Sequence, residues 1–112
     1  MALVGVIRRN PNPPGVDLQQ WRNILAADPR LKRPLTRDIV NPFTGLPAVH
    51  VPPDTDATIH EHESSIGAIT VADSDPGELD VWAADGHHND VHVIARTIAA
   101  ELGAVYEPLP SV

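Results

Sequence analysis

The sequence contains no cysteine. That excludes a disulfide scaffold, thiolate metal ligands and cysteine nucleophiles together. Aromatic residues are only 4% of the chain, so Val, Ile, Leu and Ala must build the interior. No run approaches the ~20 apolar residues of a membrane-spanning helix. The opening Met1–Arg9 does not read as a secretory signal, because its apolar run is short and its arginines follow that run. These features favour a cytoplasmic protein without membrane attachment. Phosphate-loop, dinucleotide-binding and nucleophile-elbow motifs are all missing. The most informative absence is of positive charge: from Asn41 to Ala95 there is neither lysine nor arginine. At typical usage a stretch of 55 residues would hold about five.

That stretch carries ten acidic residues: Asp54, Asp56, Glu61, Glu63, Asp73, Asp75, Glu78, Asp80, Asp85 and Asp90. It also carries all six histidines: His50, His60, His62, His87, His88 and His92. The chain's net charge of −7 is therefore uneven, with +4 over residues 1–40, −10 over 41–95 and −1 over 96–112. A field of one sign steers a partner of the opposite sign. It argues against nucleic-acid binding, which needs a basic face.

At 112 residues and 42% hydrophobic, the chain (1–112) suits a single domain with a real core. Ala2–Ile7 reads as a central strand, apolar on both faces. Asn10–Gly15 is a proline-rich loop. Asp17, with Gln20 three residues on, has the spacing of a capping box, and Val16 and Trp21 stand where a hydrophobic staple would put them. Leu18, Trp21, Ile24 and Leu25 line one face of the helix that follows, which Asp28-Pro29 ends. This places Trp21 in the core. Arg30–Arg37 reads as a solvated basic loop. Thr36–Val40 and Leu46–Val51 are spaced to pair around Asn41-Pro42-Phe43-Thr44-Gly45, with Phe43 at the tip either tucked onto the core or free for a partner.

Ala57–Glu63 alternates without a clearly apolar face, which predicts a weak or edge strand. Ile66–Ala72 and Leu79–Ala84 predict a hairpin, with Trp82 at a half-exposed position. Val91, Ile94, Ala95, Ile98, Ala99 and Leu102 form the stripe of a closing helix over about 89–102, capped by Asn89 or Asp90 and ended by Gly103. Ala104–Tyr106 returns as a short strand. The expected class is α+β: a mainly antiparallel sheet of about five to seven short strands, with two helices on one face.

Three functional readings arise. In the first, the acidic loops converge on one surface for a basic protein partner. Asp54, Asp56, Glu61, Glu63, Asp73, Asp75, Glu78 and Asp85 are its binding residues, and Trp82 is its anchor. In the second, histidine pairs ligate a metal: His60 and His62 on one face of a strand, His88 and His92 on one face of a helix. Imidazoles beside carboxylates suit Zn²⁺ or Ni²⁺, giving a metal-binding module or a metal-dependent enzyme. The alternative for these histidines is a solvated strand and a helix start, where His92 stays neutral. In the third, the chain is a subunit of a larger complex, and a homodimer through an edge strand is one form of it.

The Trp21 helix ending at Asp28-Pro29, the Asn41-Pro42-x-Thr44-Gly45 turn, and the closing Ile98-Ala99 and Leu102-Gly103-Ala104 resemble immunity proteins, small bacterial proteins encoded beside secreted toxins. The resemblance implies a non-enzymatic protein that binds one toxin, such as a nuclease, in the cytoplasm and blocks its active site. It carries over no catalytic or binding residue.

Overall fold

The computed structural model of the chain describes residues 1–9, 15–72 and 77–109. Its elements run β1 (Ala2–Arg8), α1 (Leu18–Ala27), β2 (Leu31–Lys32), β3 (Arg37–Val40), β4 (Pro47–His50), β5 (Ala57–Glu61), β6 (Ser64–Val71), β7 (Glu78–Ala83), α2 (His88–Glu101) and β8 (Val105–Pro108). Six strands form one antiparallel sheet in the order β2-β5-β6-β7-β1-β8, and β3 and β4 pair with each other as a separate ribbon. The fold is α+β, as the alternation of apolar positions implies. Among the described residues, no helix is long and apolar enough to cross a membrane.

The two helices cover one face of the sheet. Trp21 and Leu25 of α1 join Val91, Ile94, Ala95 and Ile98 of α2 over Ile7, Ile59, Ile69, Leu79 and Val81 of the sheet. The start of α1 is as local chemistry predicts: the Asp17 carboxylate accepts from the amides of Gln19 and Gln20. Trp21 is fully buried, and its indole Nε1–H donates to the Thr55 carbonyl at 2.8 Å, so its polar edge is satisfied inside the core. Gln20 Nε2 donates to the Glu101 carbonyl at 2.8 Å, tying α1 to the end of α2.

Three expectations are corrected. Ala57–Glu63 is not an edge strand. β5 lies between β2 and β6, with Ala57 and Ile59 buried under the helices. The edge is β2, within a segment that reads as a loop. Its pairing, Leu31 opposite Ile59 and Lys32 opposite Thr58, is two residues long, too short to leave a periodic signature. The closing helix is capped by neither Asn89 nor Asp90: its N-cap is His87, which makes no side-chain capping bond, and Asp90 sits in the first turn. Gly103 does end that helix in the left-handed region, at φ 63°.

Candidate functional site

The acidic block divides between the two ends of the sheet. β6 pairs with both β5 and β7, so its two ends mark the ends of the sheet's centre. Ala57 opposes Ile69 and Leu79 opposes Val71, so Asp54, Asp56 and Glu78 belong to the end where β6 finishes. Glu61 opposes Ser64, and the Ala84 amide bonds the Ile66 carbonyl, so Glu61, Glu63, Asp85 and Asp90 belong to the end where β6 begins. At ~3.3 Å per residue, the eight residues of β6 separate the two groups by about 25 Å. Asp73 and Asp75 lie outside the described residues. Among the described residues, the acidic loops therefore do not form one continuous surface.

The two ends also differ electrostatically. At the first, Asp54 pairs with Arg22 at 3.1 Å and Glu78 with Arg8 at 3.5 Å, and Arg8 also reaches Glu107 at 3.2 Å. At the second, the loops 61–64 and 84–90 contain no lysine or arginine, and only imidazoles meet the carboxylates. His62 Nε2 is 3.9 Å from Glu61 Oε1, and His87 Nδ1 is 3.6 Å from Asp90 Oδ2. Among the described residues, Glu63 and Asp85 make no ion pair. Glu61, Glu63, Asp85 and Asp90 thus bring four carboxylates to this end with no lysine or arginine in their loops. A groove of about 520 Å³ beside it is lined by Glu61, Glu63 and Asp90 together with Arg30 and Lys32. Arg30 is already engaged: its guanidinium donates to both carboxylate oxygens of Asp28, at 3.2 and 2.9 Å. That hydrogen bonding holds the Asp28 carboxyl below its ordinary range.

The β5–β6 turn is unusual. Its two central residues, His62 and Glu63, have φ of 50° and 70°. Two-residue hairpin turns of type I′ need positive φ at both central positions, which favours Asn-Gly, because a Cβ is strained there. His62 and Glu63 fill these positions without being either, so the turn leaves no signal of the usual kind in the sequence. It also ends β5 at Glu61, so His60 and His62 do not stand side by side on a strand face. His60 Nε2 instead bonds Thr58 Oγ1 at 2.7 Å.

The four histidines expected to share a metal are likewise dispersed. His92 Nδ1 makes a 2.6 Å hydrogen bond with the Tyr106 hydroxyl and packs against that ring. Burial, then the charge of Arg96 and the proximity of His88, push the His92 imidazole below its ordinary value. It is therefore neutral at pH 7, with burial as the leading cause. His62 and His88 are exposed on the β5–β6 turn and on α2. Among the described residues, the metal-type ligands that do converge are Glu61, His87 and Asp90, whose donor atoms lie within 4.8 Å of one another. These two carboxylates and one imidazole could hold a divalent cation such as Zn²⁺.

Trp82 stands half-buried on the open face of the sheet, where its Nε1–H donates to Thr70 Oγ1 at 3.1 Å. It opposes Leu3 and Ala68, one residue before the end of β7 that leads to Asp85. Phe43 is exposed at the tip of the β3–β4 ribbon, so it is not tucked onto the core. The Asn41 side chain shapes that tip by accepting from the Phe43 amide at 2.9 Å. The apolar character of this ribbon is the surface feature that charge-based reading of the sequence passes over. Its signal is present as the run of β-branched and large apolar residues around Asn41–Gly45. Comparisons with protein-family models, with curated proteins and with solved structures return no match.

Proposed function

We propose that this chain is a non-enzymatic acidic binding protein, an immunity-type inhibitor that captures a basic toxin in the bacterial cytoplasm. The observation that carries the reading is the sheet end where Glu61, Glu63, Asp85 and Asp90 gather without an arginine or lysine in their loops. Carboxylates left without a cation of their own attract one from a partner and speed encounter. Nucleases are a fitting partner class, because their clefts are built to bind phosphate and present basic groups. Trp82, beside this end on the open sheet face, is the anchor that would add apolar contact to the charge. Asp54 and Glu78 contribute less, since each is paired with an arginine of the same chain.

The test is capture from lysate of the native cell, using the purified chain as bait at low salt. A basic protein should be retained and then released at about 0.5 M salt, where screening is nearly complete beyond a few ångströms. Replacing Glu61, Glu63, Asp85 and Asp90 with lysine should abolish retention. Retention of no protein at all, or equal retention by the charge-reversed variant, would refute the reading.

A second reading, a divalent-metal module, is favoured by the convergence of Glu61, His87 and Asp90. Titration of untagged protein with Zn²⁺ in a calorimeter should then give one site per chain, lost in His87→Ala. Heats equal to those of buffer alone would remove this reading.

A further inference from the structure

The β3–β4 ribbon stands apart from the main sheet. Among the described residues its strands pair only with each other, with Val40 opposite Pro47, Ile39 opposite Ala48 and Asp38 opposite Val49. Alternation puts Val40, Pro47 and Val49 on one face, with Phe43 and Leu46 at the tip and Val51 just beyond. These side chains are open to solvent: Phe43 is 96% exposed, Val40 66%, Val51 64%, Leu46 63% and Val49 62%. An isolated two-stranded ribbon is marginal in water. One that also exposes such side chains needs a cover.

We propose that the cover is the same ribbon of a second copy, so that two chains associate arm to arm about a two-fold axis. Two features point to this occupant. The first is area. Phe43 and four largely exposed aliphatic residues make a patch on the order of 600 Å². Two such patches packed face to face offer up to about 1,200 Å², the lower bound for a stable specific interface. A patch of this size is also at the top of what a monomer ordinarily exposes.

The second feature is charge. From Arg37 to His50, lysine, arginine, aspartate and glutamate are limited to Arg37 and Asp38, which cancel formally. Arm-to-arm contact therefore adds no net repulsion, while the two acidic bodies, at −7 each, repel. Association through the arm should accordingly strengthen with salt, the opposite of capture by the acidic end.

The experiment is light scattering after size exclusion on the full chain, at concentrations up to about 100 µM and at about 0.05 and 0.5 M salt. The expected mass is about 24 kDa, twice the 12.1 kDa of one chain, with the larger dimer fraction at high salt. The triple variant Val40→Lys, Phe43→Ser, Val49→Lys should run at 12.1 kDa. Its far-ultraviolet spectrum and melting should be unchanged, because none of the three belongs to the core. A wild-type mass of 12.1 kDa under every condition would overturn the proposal. So would a dimer that the triple variant still forms. A monomer whose arm becomes protected only when a captured basic protein is added would also overturn it, and would assign the arm to that protein. Charge reversal at Glu61, Glu63, Asp85 and Asp90 should leave the dimer mass intact, so capture and self-association fail separately.

Discussion

Replacing His62-Glu63 by Asn-Gly should stabilise the protein. Both residues sit at positive φ, 50° and 70°, and a residue with a Cβ pays about 1 kcal/mol to stay there. The native turn therefore stores about 2 kcal/mol. Asparagine tolerates the left-handed region and glycine pays nothing for it. Glycine's larger freedom in the unfolded chain returns about 0.4–1 kcal/mol of this gain. The net expectation is about 1 kcal/mol of added stability, or a melting temperature higher by about 4 °C for a domain of this size. Urea unfolding followed by tryptophan fluorescence reads it directly, since buried Trp21 becomes exposed on unfolding. The midpoint should rise with an unchanged slope. A midpoint equal to or below that of the parent would refute the left-handed turn and the reasoning built on it. The same variant deletes the Glu63 carboxylate, so partner capture should weaken while stability improves. That opposition would mark the turn as strained in the service of binding.

Two further outcomes follow from the packing. Gly5 lies directly under the Tyr106 ring, which a Cβ would overlap, so Gly5→Ala should cost about 1–3 kcal/mol through overpacking, visible as a lower urea midpoint. Because the folded His92 imidazole titrates below its unfolded value of 6.5, the unfolded chain takes up its proton first as pH falls. The stability this group contributes is full above pH 6.5 and declines as pH drops through that value towards the folded pKa. His92→Gln should flatten the slope of stability against pH in this window. An unaltered slope would show that other groups carry it.

The parts of the fold legible in the sequence are those decided within a few residues. Asp17 caps α1 because its carboxylate reaches amides two and three positions on. Trp21 is core because it falls on the apolar stripe. Asn41–Gly45 turns because asparagine and glycine supply the required bonds and φ. What was not legible depends on partners far along the chain. β2 is two residues whose only reason to be extended is β5, some 27 positions away. Ala57–Glu63 reads as a weak or edge strand because neither face is clearly apolar over a span that runs on through a turn with neither asparagine nor glycine to announce it. The acidic loops looked equivalent in sequence, and pairing separated them. Arg22 neutralises Asp54 and Arg8 neutralises Glu78 across elements that no local pattern connects, whereas Glu61 and Asp90, 29 positions apart, are brought together with only imidazoles between.

Three of the eight basic residues are committed to carboxylates other than those at the start of β6. Arg8, Arg22 and Arg30 are committed to Glu78 and Glu107, to Asp54 and to Asp28. At distances greater than the separation of the two charges, an arginine paired with a carboxylate looks nearly neutral to an approaching partner. The free carboxylates at the start of β6 do not. A basic protein therefore meets attraction at that end of the molecule, and the near-neutral ribbon offers apolar area without attraction or repulsion of its own. The two surfaces answer salt with opposite sign: screening weakens attraction at the acidic end and relieves body-to-body repulsion at the ribbon. A single salt titration that follows capture and mass together thus distinguishes a protein using both surfaces from one using either alone.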